Sequence, residues 1–111
     1  MNPQQRDFGA RMFAAFANPA RLHILECLAN GPASVNQIAS ATGLKQSMTS
    51  QHLSVLLSAG AVVCKPQGSL RVYSLRGPRV AQILQLVEQF HDVHLQSLRR
   101  MLGQEVREAV A

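Results

Sequence analysis

Apolar positions recur at helical spacing along most of the chain and change to alternation once, which divides it into helices before and after a single hairpin. Phe8, Met12, Phe13 and Phe16 fall on one side of a first helix, expected over about residues 6–17. Asn18-Pro19 ends it and starts the next, because an asparagine side chain accepts from free amides at a helix start and proline fits the first helical position. Leu22, Leu25, Cys27, Leu28 and Ala29 then fill a buried second helix, Pro19 to Ala29, closed by the stop signal Asn30-Gly31-Pro32. Ser34 caps a short third helix that carries Val35, Ile38 and Ala39 and ends at Thr42-Gly43. Leu44 leads into a fourth, expected from about Lys45 to Ser58.

After Ala59-Gly60 the period shortens to two. Ala61-Val62-Val63-Cys64-Lys65 and Leu70-Arg71-Val72-Tyr73-Ser74-Leu75 are the strands of a hairpin, with Pro66-Gln67-Gly68-Ser69 as its turn. Gly77-Pro78 breaks the second strand and opens a last helix, roughly Pro78 to Leu102. On it Val80, Leu84, Val87, His91, His94, Leu98 and Met101 follow a heptad-like seam, and Ile83, Leu86, Phe90 and Val93 line an adjacent strip. Together the strips span about 200°, against the roughly 100° one core needs, so the surplus calls for a second subunit across a twofold axis. The expected fold is mainly α with a small β-hairpin, in the order α-α-α-α-β-β-α.

Composition sets the scale. A chain of 111 residues with 47% apolar and 15% charged content is one globular domain, residues 1–111, and carries neither the charge excess nor the apolar poverty of a disordered protein. No internal repeat, low-complexity segment or linker interrupts it. No apolar run approaches the roughly 20 residues of a membrane helix, and Met1 to Phe8 is not of signal-peptide type, so no membrane association and a cytoplasmic location are expected. Cys27 and Cys64 are too few for a disulfide framework and lack zinc spacing, which makes them free thiols.

The charge is unevenly placed. Between Glu26 and Glu88 there is no acid, while Lys45, Lys65, Arg71, Arg76 and Arg79 all lie there, so this interval holds the whole net charge of +5. Cations collected without carboxylates attract a polyanion. The third and fourth helices, joined by a tight glycine turn, form a helix-turn-helix, whose second helix can lie in the major groove of double-stranded DNA. On that second helix Met48, Leu53, Leu56 and Leu57 are expected on the buried side, and Lys45, Gln46, Ser47, Thr49, Ser50, Gln51 and His52 on a polar front. Amides, hydroxyls and a lysine pair with base edges and phosphates. The hairpin following it is a wing from which Lys65, Arg71 and Arg76 can neutralise phosphates.

Four segments then carry a family resemblance: Ala17-Asn18-Pro19-Ala20-Arg21-Leu22-His23-Ile24-Leu25, Ser34-Val35-Asn36-Gln37-Ile38-Ala39, Gln46-Ser47-Met48-Thr49-Ser50-Gln51-His52-Leu53-Ser54-Val55-Leu56 and Arg71-Val72-Tyr73-Ser74-Leu75. In order and spacing the chain resembles the ArsR/SmtB family of winged helix-turn-helix repressors over nearly its whole length. The resemblance implies a homodimer on an inverted-repeat operator, with the first and last helices at the subunit interface. That interface would hold Phe8 and Met12 with Val80, Leu84, Val87, His91, His94 and Leu98. His52 sits where such helices turn inward, so a DNA contact and an internal hydrogen bond both remain open for it.

The same resemblance tests the family's sensors. Where the thiolate site has Cys-Val-Cys, this chain has Ser34-Val35-Asn36, and where the zinc site has an Asp-x-His and a later His, it has Gly77, Arg79 and Phe90. Neither a serine hydroxyl nor an arginine replaces a thiolate or an imidazole as a ligand, so neither metal site is expected. Glu88, His91 and His94 leave an alternative, a relocated site on the last helix, against the reading of two polar seam histidines. The family's thiol sensors pair cysteines of the second and last helices. Cys27 matches one, but Cys64 lies in the wing, which favours inert thiols over a redox pair. No nucleotide-binding glycine loop, nucleophile motif or carboxylate pair supports an enzyme, and no cofactor is implied. A protein-interaction module that has lost DNA binding is the rival class, opposed by the basic centre and the polar front.

Overall fold

A computed structural model describes residues 1–110. In chain order the elements are α1 (Pro3–Phe16), α2 (Pro19–Ala29), β1 (Ala33–Ser34), α3 (Val35–Thr42), α4 (Gln46–Ser58), β2 (Val62–Gln67), β3 (Leu70–Leu75) and α5 (Pro78–Val110). They fall into two compact units, one ending at Ala81 and one comprising α5 from Gln82 on.

Short-range chemistry sets most boundaries. Asn18 Oδ1 accepts from the amides of Ala20 at 2.8 Å and Arg21 at 3.2 Å, and Pro19 holds the first position of α2. Ser34 and Gln37 form a reciprocal capping box at α3, the Gln37 amide donating to Ser34 Oγ at 3.3 Å and the Ser34 amide to Gln37 Oε1 at 2.9 Å. Gly43 closes α3 in the left-handed region at φ +74, and its N–H donates to the Ala39 carbonyl. The first helix starts earlier than its apolar pattern suggests, because Asn2 and Gln5 make a second capping box and Pro3 occupies the first turn. The last helix runs past Leu102 to Val110.

In the first unit α2, α3 and α4 pack on one another, and β3 lies against α2. Ile24 and Leu25 of α2, Ile38 of α3 and Leu53 and Leu56 of α4 have no exposed surface. Each such side chain contributes about 1.5–3 kcal/mol relative to an exposed one. The sheet has three antiparallel strands in the order β1-β3-β2 rather than the two of a bare hairpin, because Ala33 and Ser34 pair with Tyr73 and Val72. The hairpin is also longer than expected. Gln67 pairs with Leu70, so the turn shrinks to Gly68-Ser69, with Gly68 at φ +64, and Pro66 sits inside β2. A proline fits there because β2 is an edge strand, where a missing N–H removes no ladder bond from the outer side.

In the second unit, α5 carries Leu86, Val87, Phe90, Val93, Leu98, Met101 and Leu102 as exposed apolar side chains, Phe90 at 78%.

Candidate nucleic-acid interface

The tight α3-α4 turn places α4 with one side in the core and the other in solvent. Lys45, Gln46, Ser47, Ser50, Gln51 and Ser54 are exposed, while Leu53 and Leu56 are completely buried. No Asp or Glu belongs to this surface, since the acid-free interval runs through it. Lys45, the residue before α4, makes no side-chain hydrogen bond to its start, which leaves the first amides of the helix without a side-chain cap. Those amides and the helix dipole favour a negative oxygen.

Two side chains of α4 lie opposite to expectation. Thr49, expected on the polar front, has no exposed surface, and its hydroxyl donates to the Lys45 carbonyl at 2.9 Å. With that group satisfied by the preceding turn, the side chain presents its methyl to the core and packs as a small hydrophobe. Met48, expected inside, is 43% exposed. Helical positions one apart point about 100° apart, so the inward place taken by Thr49 turns Met48 out.

His52 is half-buried, and its Nδ1 lies 3.4 Å from Nη1 of Arg21 on α2. A guanidinium has no acceptor, so in this contact Arg21 donates and the imidazole nitrogen accepts. The same Arg21 donates from Nε to the Ala15 carbonyl and from Nη2 to the Ala14 carbonyl at 3.4 Å. One side chain thus satisfies the free carbonyl end of α1 and holds α4. Arg21 was not among the expected site residues, although a long cation after a helix-starting Asn-Pro is a visible signal of it.

In the wing Lys65 and Arg71 are both exposed. Lys65 pairs with Val72 and Arg71 with Pro66, so the two cations leave opposite faces of the hairpin and do not converge on one point. Arg71 shares its face with Tyr73 and Cys64. Burial, and after it hydrogen bonding and charge interaction with the Cys64 thiol, push the Tyr73 hydroxyl above its ordinary pKa, with Arg71 opposing. Arg76 is anchored by its amide to the Ala61 carbonyl at 3.0 Å, and its guanidinium lies where a side chain on Gly60 would stand.

The residues of the expected subunit seam divide. Phe8, Val87, His91, His94 and Leu98 are exposed and Met12 is partly so. Val80 and Leu84 are 6% and 8% exposed, less than the other seam positions. Glu88, His91 and His94 all lie in solvent, with His91 Nδ1 3.9 Å from an Asp92 carboxylate oxygen. Among the described residues no three His, Cys, Asp or Glu side chains gather closely enough to hold an ion. Cys27 and Cys64 are free and half-buried.

A helical core with a glycine-turned helix pair, followed by a hairpin with outward cations, is a winged helix-turn-helix protein. The model of the bacterial regulatory protein, arsR family, matches residues 18–62. NmtR of Mycobacterium tuberculosis, an HTH-type transcriptional regulator, is 43% identical over 86 residues, covering 78% of this chain and 71% of that protein. The transcriptional regulator Rv0324 of the same organism is 40% identical over 86 residues, but this chain spans only 38% of its length. The solution structure of the homodimeric winged helix-turn-helix DNA-binding domain of Mb0332 from Mycobacterium bovis superposes with a TM-score of 0.76 at 38% identity, covering 83% of this chain and 85% of that one. The chain belongs to the ArsR family of bacterial transcriptional regulators, and its relatives are regulators rather than enzymes. No helix among the described residues is long and apolar enough to cross a membrane.

Proposed function

We propose that this chain acts in the cytoplasm as a homodimeric, sequence-specific DNA-binding regulator, working as one DNA-binding and dimerisation domain. Two copies of α4 occupy successive major grooves of an inverted repeat, about 10 base pairs apart. The observation that carries this is the outer face of α4, where Gln46, Ser47, Ser50 and Gln51 stand exposed beside Lys45 while Thr49, Leu53 and Leu56 hold the helix from behind. Amides offer paired donor and acceptor groups to adenine, and hydroxyls serve either kind of base edge. Lys65 and Arg71, leaving opposite faces of the wing, suit phosphates on separate stretches of backbone better than one shared site. The dimer is supported by the exposed apolar side chains of α1 and α5 and by the homodimeric Mb0332 domain.

We also read the chain as a regulator without the family's two metal sites. Ser34 supports this, since its hydroxyl is committed to the Gln37 amide as a helix cap. So does Phe90, an apolar ring where the zinc site would need a histidine.

Footprinting on duplexes selected from a random pool tests the reading. Protection of two half-sites one helical turn apart is expected. Gln46→Ala and Gln51→Ala are expected to relax base preference by roughly 1–3 kcal/mol per lost bidentate contact. Arg71→Ala is expected to weaken all sequences alike and to lower the salt slope by about 1. Selection of no common sequence, or the same loss of preference from both kinds of variant, would count against it.

A further inference from the structure

Met48 lies in the first turn of α4, the part of a recognition helix that approaches base edges most closely, and it is 43% exposed. Its neighbours on that surface, Lys45, Ser47, Gln51 and His52, all carry hydrogen-bonding groups. Val55, 40% exposed, lies two turns further on in nearly the same direction, since seven residues return a helix to within about 20°. The reading face therefore has an apolar edge as well as a polar front. Nothing in the polar chemistry of that front accounts for a thioether left in water.

The major groove has one apolar feature, the C5 methyl group of thymine. Cytosine has only a hydrogen at that carbon, and a purine presents the N7 acceptor to the groove. An unbranched, polarisable thioether adapts its rotamer to reach such a methyl, whereas a β-branched side chain would not. Building on the DNA-reading function above, we propose that Met48 is a specificity-determining residue that reads the C5 methyl of one thymine in each half-site. Methyl readout then adds to the hydrogen bonds of Gln46, Ser47, Ser50 and Gln51, and the operator is selected for thymine at a position that no amide or hydroxyl specifies.

The test replaces each thymine of the selected operator in turn with deoxyuridine, which keeps every hydrogen-bonding group and removes the methyl. With the full chain, one thymine per half-site is expected at which this costs about fourfold in affinity, the transfer energy of one methyl group. Met48→Ala is expected to bind the thymine and uracil operators equally, and Met48→Leu to keep part of the discrimination. Because Met48 is exposed, Met48→Ala should keep its helical circular dichroism, which is measured alongside. A wild type indifferent to every deoxyuridine, or a Met48→Ala variant as sensitive as the wild type, overturns the assignment and leaves DNA reading intact. A wild type that selects no duplex overturns DNA reading and this contact together.

Discussion

Thr49 and Gln51 are both polar residues of α4, yet one has no exposed surface and the other faces solvent. What separates them is where the polar atoms can be satisfied. The Thr49 hydroxyl reaches the Lys45 carbonyl, which also accepts from the Thr49 amide, so the group is buried without an unmet partner. A glutamine amide has more donors and acceptors than one helical turn can satisfy and goes to water. Thr49→Val, of the same shape, is therefore expected to change unfolding free energy by no more than about 1 kcal/mol, since the Lys45 carbonyl keeps its amide donor. Its affinity for the operator should equal that of the wild type. Urea denaturation and a DNA titration of the variant check both, and a loss of base preference would return Thr49 to the reading face.

At the scale of elements, the turn between α3 and α4 sets the angle at which α4 is presented, and Gly43 makes it possible. Its φ of +74 lies in the left-handed region, and nothing stands within 4 Å of where a Cβ would be. The cost of Gly43→Ala is then purely conformational, about 1–2 kcal/mol, without a steric clash. Urea unfolding should register that loss, and a variant as stable as the wild type would show that the turn does not hold glycine's conformation. Legibility varies among the elements. The Asn18-Pro19 and Ser34 starts and the Gly43 stop are contacts within a few residues and are visible in the sequence. Strand β1 is not, because Ala33 and Ser34 are extended by pairing with Tyr73 and Val72, some forty positions away.

For the whole molecule, dimerisation has to use side chains that the protomer leaves exposed. Val87 is 54% exposed, whereas Leu84 is 8% exposed, so a charge at Leu84 would disturb the protomer itself and report nothing about assembly. Val87→Glu is expected to leave the protomer folded and to shift sedimentation toward the monomer, because a twofold axis sets the two carboxylates in one apolar seam. Operator affinity should fall with it, and an undisturbed dimer would move the interface elsewhere. Regulation belongs to the same scale. Zinc, nickel, cobalt or arsenite at near-stoichiometric levels is expected not to release the protein from its operator, as neither Ser34 and Asn36 nor Gly77, Arg79 and Phe90 can ligate them. Calorimetry that found tight binding abolished by His91→Ala or His94→Ala, with reduced DNA affinity, would instead establish a site on α5.

Local signals determined the element order, the wing, the acid-free basic centre and most of the exposed front of α4, since caps, turn residues and hydrophobic periods act over a few residues and charge is counted directly. Tertiary packing decided which way α4 is turned about its axis, putting Thr49 inside and Met48 outside, since an amphipathic period fixes the width of a stripe more firmly than its edges. It also brought Arg21 to both the end of α1 and His52. These outcomes depend on contacts between residues far apart in sequence, where several apolar or polar partners compete for one place and only the assembled core selects among them.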